Sequence, residues 1–281
     1  MSTRVEVPPA GSPAALVRVV LEAAHLAPTL AVTLVVALLA VADRQPVATA
    51  VLVTVAVLAG QLTIGWGNDL TDLGRDRRVG RSDKPLATGR VSATLVLRCL
   101  VVAGVACVVL SFLAGWRSAL VHLLLGVGAG HAYNLILKGT AWSWLPYAVA
   151  FGTLPAVVTL AGPTPHWPPG WMMATAALLG IAAHLLNVLP DLADDAATGV
   201  RGLPHRLGPS RTRVTATGLL VLGSVLAVFG PPGAASRWTV AALAAVAALA
   251  VPALLGRGRL PFHAAIGIAL VDVALLVLVQ R

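Results

Sequence analysis

Apolar runs separated by short polar connections repeat along this chain from about residue 24 to its end. Nine of them read as membrane-crossing helices, at residues 24–41, 47–66, 93–115, 119–137, 145–161, 171–189, 212–229, 240–255 and 262–279. Each approaches the length that a hydrocarbon layer about 30 Å thick requires. Helices satisfy their own backbone groups where no water is present, so the pattern predicts an all-α polytopic membrane protein. Residues 16–26, with Arg18 and Glu22, read as an amphipathic lead-in to the first run. Residues 1–13 are short, polar and proline-containing, and are expected to form a flexible cytoplasmic N-terminus before one transmembrane domain at 14–281.

Two polar stretches break the pattern, each closing an apolar run. The first is Asn68-Asp69-Leu70-Thr71-Asp72-Leu73-Gly74-Arg75-Asp76, and the second is Asn187-Val188-Leu189-Pro190-Asp191-Leu192-Ala193-Asp194-Asp195. A shift of 119 superposes Asn187 on Asn68, Asp191 on Asp72 and Asp195 on Asp76, and then Gly199 on Gly80, Pro204 on Pro85 and Gly208 on Gly89. Six positions in register define an internal repeat, Asn-x3-Asp-x3-Asp-x3-Gly-x4-Pro-x3-Gly. On a continuing helix Asn68, Asp72 and Asp76 share one face. One such stretch alone reads as a solvated acidic loop. Two in register predict facing halves of a carboxylate-lined pocket.

Composition sharpens this picture. The 281 residues are 58% hydrophobic and 11% charged, with a mean hydropathy of +0.87, which excludes an ordinary soluble domain. Seven of the eleven acidic residues lie in the two stretches and their tails, counting Asp83. The net charge of +9 has no aromatic interleaving and flanks the spans, so it argues for membrane orientation and against nucleic acid. With nine spans, sixteen Lys and Arg fall on the side of the N-terminus and four (Arg44, Arg117, Arg237 and Arg281) on the other. That asymmetry predicts a plasma-membrane protein with its N-terminus cytoplasmic, its C-terminus external and both aspartate stretches facing the cytoplasm. Cys99 and Cys107 read as small core hydrophobes. His122, His131 and His184 read as packed or hydrogen-bonded, and Asp272 stands alone in the last span, where a charge is costly.

Cations follow each aspartate stretch: Arg75, Arg77, Arg78, Arg81 and Lys84 after the first, Arg201, His205 and Arg206 after the second. Carboxylates interleaved with Arg and Lys suit a Mg²⁺–polyphosphate complex better than a bare metal. A diphosphate at the mouth of a membrane cavity implies a greasy remainder, as in an isoprenoid diphosphate. Its ionisation would leave an allylic cation shielded from water.

At these residues the chain resembles the UbiA-type intramembrane prenyltransferases. Asn68, Asp69, Asp72 and Asp76 match that family's first motif, Asn-Asp-x-x-Asp-x-x-x-Asp, and Asp191 and Asp195 match its second, Asp-x-x-x-Asp, with Asp194 additional. Lys84-Pro85-Leu86 resembles the basic-Pro-Leu segment after the first motif. The family's Tyr-x-x-x-Lys element corresponds to Tyr133 and Lys138, here one residue further apart, and its Arg-Pro pair to His25-Leu26-Ala27-Pro28. The resemblance implies nine helices around a central cavity, a Mg²⁺ cofactor, and prenyl transfer from a polyprenyl diphosphate to a lipophilic, aromatic or quinone-like acceptor.

The expected catalytic residues are Asp72, Asp191, Lys138 and Tyr133. The expected metal ligands are Asn68, Asp72, Asp76, Asp191 and Asp195, supported by Asp69 and Asp194. Lys84, Lys138, Arg201, Arg206 and Arg75 are the expected diphosphate clamps, with Asn134 and Asn187 facing the cavity. Two other readings use the same residues: a membrane terpene cyclase without an acceptor, and a non-catalytic carrier of a lipid phosphate. Carrier sites usually sit at the membrane midplane, whereas these carboxylates sit at one edge. Neither the acceptor nor the oligomeric state is encoded in any motif.

Overall fold

A computed structural model of the chain describes residues 12–232 and 237–279. Residues 1–11 of the expected flexible N-terminus, Arg4 among them, and Arg281 therefore lie outside the described residues, while Ser12 and Pro13 already belong to the first helix and its cap. Helix α1 (Pro13–Glu22) starts on the Ser12 hydroxyl, which accepts from Ala15 N. It carries the Arg18–Glu22 ion pair, and Glu22 also pairs with Arg90. A 78° bend separates it from α2 (Leu26–Ala42). Then follow α3 (Val47–Arg78), α4 (Ala93–Ala114) and α5 (Trp116–Leu137). Next come α6 (Leu145–Thr159), α7 (Gly170–Val188) and two short helices, α8 (Leu192–Ala197) and α9 (Leu203–Leu207). The chain closes with α10 (Pro209–Phe229), α11 (Arg237–Leu255) and α12 (Leu260–Val279).

Among the described residues, six helices are long and apolar enough to cross a membrane, or seven with the bent pair α1 and α2 taken as one span. Two shorter apolar helices, Leu145–Thr159 and Leu260–Leu275, complete the set. A count of nine crossings therefore requires those two shorter helices to span as well. The outer faces carry apolar side chains such as Val102, Val105, Phe112 and Leu113 of α4, as lipid contact demands.

The hydrophobic effect does little to hold helices together in lipid, so close packing and hydrogen bonds do that work. Trp66 Nε1 donates to Val20 O at 2.9 Å, tying α3 to α1. Gly65 lies against the backbone of the bend: a Cβ there would sit 2.4 Å from Ala24 O. No side chain other than hydrogen fits, and this approach brings His25 beside the first aspartate stretch.

The repeat proves to be a helix-ending device. Gly80 and Gly199 have φ of 70° and 83°, and Gly89 and Gly208 have φ of 74° and 78°. These left-handed conformations cost glycine little. In the first copy Arg81 N donates to Asp76 O at 3.0 Å; in the second, Val200 N donates to Asp195 O at 2.9 Å. Both are the six-to-one bond of a helix stop in which glycine is the first residue past the cap. The third aspartate of each copy thus closes its own helix, and the spacing Asp-x3-Gly follows from that geometry. The copies differ upstream. Helix α3 runs unbroken through Asn68, Asp72 and Asp76, whereas Pro190 imposes a tight 3-10 turn over Leu189–Asp191.

Candidate active site

One cavity of about 510 Å³ opens between the two aspartate stretches and runs into the bundle. Asn68, Asp69, Asp72, Asp76, Asn187, Asp191, Asp194 and Asp195 all line it, with Arg75, Lys84, Tyr133, Asn134 and Lys138. The structure therefore brings together side chains that lie 119 positions apart in the repeat. Arg201 and Arg206 do not line this cavity. Both are exposed, and Arg201 borders a separate shallow groove with His205. The backbone here packs against the end of α5, where a Cβ on Gly202 would sit 2.8 Å from Lys138 O, while both arginine side chains are left to solvent.

Four of the six aspartates of the two stretches fall into three groups according to the cations they meet. Asp72, buried at 4% exposure, is paired with both Arg75 and Lys138. Asp69 is 1% exposed and accepts from Lys84 Nζ at 2.6 Å, with His25 Nε2 at 2.9 Å from the same oxygen. His25 Nε2 and Lys84 Nζ are 3.0 Å apart, so the three groups form one cluster. Asp191 meets Arg81 at 3.0 Å, and Asp194 meets it at 3.7 Å. Arg81 also donates twice to Asp83 at 2.9 Å, and thus joins the tail of the first copy to the second.

That pairing holds the Asp83 carboxyl down at about 2, while Asp83 raises the guanidinium. Burial pushes the Lys138 ammonium below its usual range, and the nearby Asp195 carboxylate opposes that shift. Arg81 and His25 were not among the expected site residues. Position 81 of the first copy falls on Val200 of the second, so the repeat gave no sign of it.

Helix α5 resolves the spacing of Tyr133 and Lys138. Its last turn, Tyr133–Leu137, is wide, and Lys138 N donates to Tyr133 O at 2.9 Å. A five-residue hydrogen-bonded turn absorbs the additional residue, so both side chains reach the cavity. Asn134 donates from Nδ2 to Ile64 O at 3.0 Å and accepts from Asn68 Nδ2 at 3.2 Å. Its amide is thus fully oriented, and it fixes Asn68. Tyr147 packs edge-on against Tyr133 with centroids 5.1 Å apart; both tyrosines of the chain line the cavity. The three histidines are hydrogen-bonded as expected: His122 with Ser111, His131 with Thr63 and His184 with Ser143.

Chain-wide comparison decides the family. Residues 29–273 match the UbiA prenyltransferase family. The chain belongs to that family. A curated relative named digeranylgeranylglyceryl phosphate synthase, from Natronomonas pharaonis, is 30% identical over 182 residues, covering 59% of this chain and 61% of the relative. The chain therefore spans less than two thirds of that relative. Two solved UbiA homologues share the fold. One is the apo structure from Aeropyrum pernix K1, with a TM-score of 0.73, 17% identity, and coverage of 89% of this chain and 97% of that one. The other, from Archaeoglobus fulgidus and bound to GPP and Mg²⁺, has a TM-score of 0.70 and 15% identity, covering 93% and 98%.

Among the described residues, no three His, Cys, Asp or Glu side chains converge as a ready-made cation site. The carboxylates face Arg and Lys instead. Yet the donor set consists of hard oxygens, and Asp69 Oδ2 is buried without a hydrogen-bond partner. Those features fit Mg²⁺ among these UbiA residues.

Proposed function

We propose that this UbiA-family chain catalyses Mg²⁺-dependent prenyl transfer from a polyprenyl diphosphate to a lipophilic acceptor, aromatic or quinone-like, with release of diphosphate. One observation carries the reading: paired carboxylates and cations ring the mouth of a cavity whose interior is largely apolar. The apolar part suits a prenyl chain and the mouth suits its diphosphate. A homologue bound to GPP and Mg²⁺ and a relative named for a digeranylgeranylglyceryl phosphate product support the prenyl-donor part of this reading.

In the reaction the donor's allylic C–O bond breaks and its electron pair leaves with diphosphate. The acceptor's nucleophilic atom then bonds the allylic carbon and loses a proton. Mg²⁺, when bound, neutralises charge on the leaving diphosphate. Asn68, Asp72, Asp76, Asp191 and Asp195 would hold it, with Asp69 and Asp194 beside them. Lys138 and Arg75 keep N–H groups beyond those used on Asp72, so they can hold phosphate oxygens while remaining attached to α3. Lys84 has the same capacity beside Asp69. The rings of Tyr133 and Tyr147 offer π-faces to developing positive charge. Buried apolar walls exclude water from the cation.

Detergent-solubilised protein with Mg²⁺ and geranylgeranyl diphosphate should release diphosphate when lipid extract supplies an acceptor. Release with a cyclised hydrocarbon product and no acceptor would mark a cyclase, and no release under either condition would mark a carrier. In this reading the N-terminus is cytoplasmic, as the basic-residue asymmetry suggests, and precedes a single transmembrane domain at 14–281 in the plasma membrane. Reporters at Arg281 and Gly199 are expected on opposite sides; the same side for both would defeat nine crossings.

A further inference from the structure

The proposed chemistry gives the mouth of the cavity to the diphosphate and its apolar interior to the prenyl chain, and finds no use for a carboxyl group at the deep end. Asp272 lies there, 2% exposed, on a wall it shares with Trp171, Met172, Thr175, Ala269 and Val273. It is twelve residues along α12 from Leu260, or about 18 Å at 1.5 Å per residue. Thr175 is also twelve residues from Asn187 along α7, so helical rise places it at a similar depth.

Asp272 is under-supplied with partners. Its Oδ2 lies 2.9 Å from Ser224 Oγ, and its Oδ1 is buried with no hydrogen-bond partner. Ser224 is itself divided, because its hydroxyl also lies 3.1 Å from Leu220 O on its own helix. One hydroxyl hydrogen cannot serve both oxygens. A clasp between α10 and α12 would need only the Ser224 contact and gives no use to Oδ1. Whether or not Oδ2 carries a proton, Oδ1 remains an acceptor without a donor, on a side chain that lines the apolar chamber. A polar group so placed in a membrane helix is expensive to keep, and a donor that reaches it offsets the cost.

We propose that Asp272 is the centre of a second, deep subsite that takes a hydrogen-bond donor, a hydroxyl or N–H, on an elongated lipid. Which lipid it serves rests on the prenyl-transfer reading. A prenyl diphosphate has one polar end, held at the mouth, and its hydrocarbon end offers no donor. The subsite then selects the acceptor, whose second polar group lies remote from its reacting atom. Asp272 is a specificity residue in this scheme and touches no reacting bond.

The test uses full-length protein in nanodiscs and two probes, hexadecanol and the hexadecane diol with a hydroxyl at each end. Wild-type protein should bind the diol at least tenfold more tightly than the mono-alcohol. Asp272→Leu should bring the ratio to about one, and Asp272→Asn, which preserves volume and an acceptor oxygen, should retain it. Binding of geranylgeranyl diphosphate should be unchanged in both variants. Equal affinity of the two probes for wild type overturns the proposal, and that arm does not depend on any variant folding. Loss of the preference in both variants, or in neither, overturns it too. An ω-hydroxylated geranylgeranyl diphosphate separates the sources: tighter binding than the parent donor would place the prenyl chain, not the acceptor, at Asp272, overturning the assignment to the acceptor. Failure of prenyl transfer itself would appear as absent diphosphate release in wild type, independently of either alcohol.

Discussion

Asp72→Asn and Asp191→Asn should each lower the rate of diphosphate release from geranylgeranyl diphosphate by about a hundredfold or more, with the protein still folded. A lost contribution to charge developing in the transition state has that size. Volume is nearly preserved, so packing does not account for a loss. The structure adds a distinction between the two. Asp72 is the partner of both Arg75 and Lys138, so its replacement also frees two cations next to the expected diphosphate. Asp191 is paired with Arg81, which keeps both of its bonds to Asp83. Asp72→Asn is therefore expected to change the KM for the donor as well as kcat, and Asp191→Asn mainly kcat. Steady-state kinetics with Mg²⁺ saturating would check this, with melting temperature as the folding control. Parental rates in both variants would remove the basis for prenyl transfer at this site.

Asp69→Ala should act on stability more than any other aspartate change, by about 3–5 kcal/mol, as expected when one partner of a buried ion pair is removed. Asp69 is 1% exposed, and the Lys84 side chain is 12% exposed. Removing the carboxylate leaves a largely buried ammonium without its hydrogen-bonded ion-pair partner. The double variant Asp69→Leu with Lys84→Met should regain most of the loss, because a well-packed apolar pair can replace a buried ion pair. Thermal unfolding of the two single variants and the double variant in one detergent makes the comparison. Additive losses would show that the two residues do not act as a pair. Loss of activity with unchanged melting in Asp69→Ala would point instead to a direct role at the metal.

Apolar runs alone determined nine helical segments to within a few residues. Each helix forms from its own local periodicity and satisfies its own backbone, and lipid makes no other choice available. The one large departure is α3, which runs to Arg78 rather than stopping near residue 66. Polarity marked the end of an apolar run there, but a helix ends where the chain can leave it, and here the exit is Gly80, just past the cap at Val79. The repeat itself was legible because its glycines and aspartates answer local demands, a left-handed φ and a closing carbonyl, which recur at the same spacing in both copies.

Partnership was another matter. Nothing in the order of residues says that Asp69 pairs with His25 and Lys84 while Asp72 pairs with Lys138, although both aspartates lie on one helix. Those pairings depend on the bend between α1 and α2, on Gly65 admitting it closely, and on the wide turn that aims Lys138 inward. Arg81 could be read only as one of several cations after the first stretch, because only folding brings the tail of one copy against the other. Arg201 and Arg206, plausible by distance in sequence, are exposed and do not line the cavity. Local backbone rules act over a few residues and can be read in order. Charge pairing acts through space, so only the tertiary structure decided which cation meets which carboxylate.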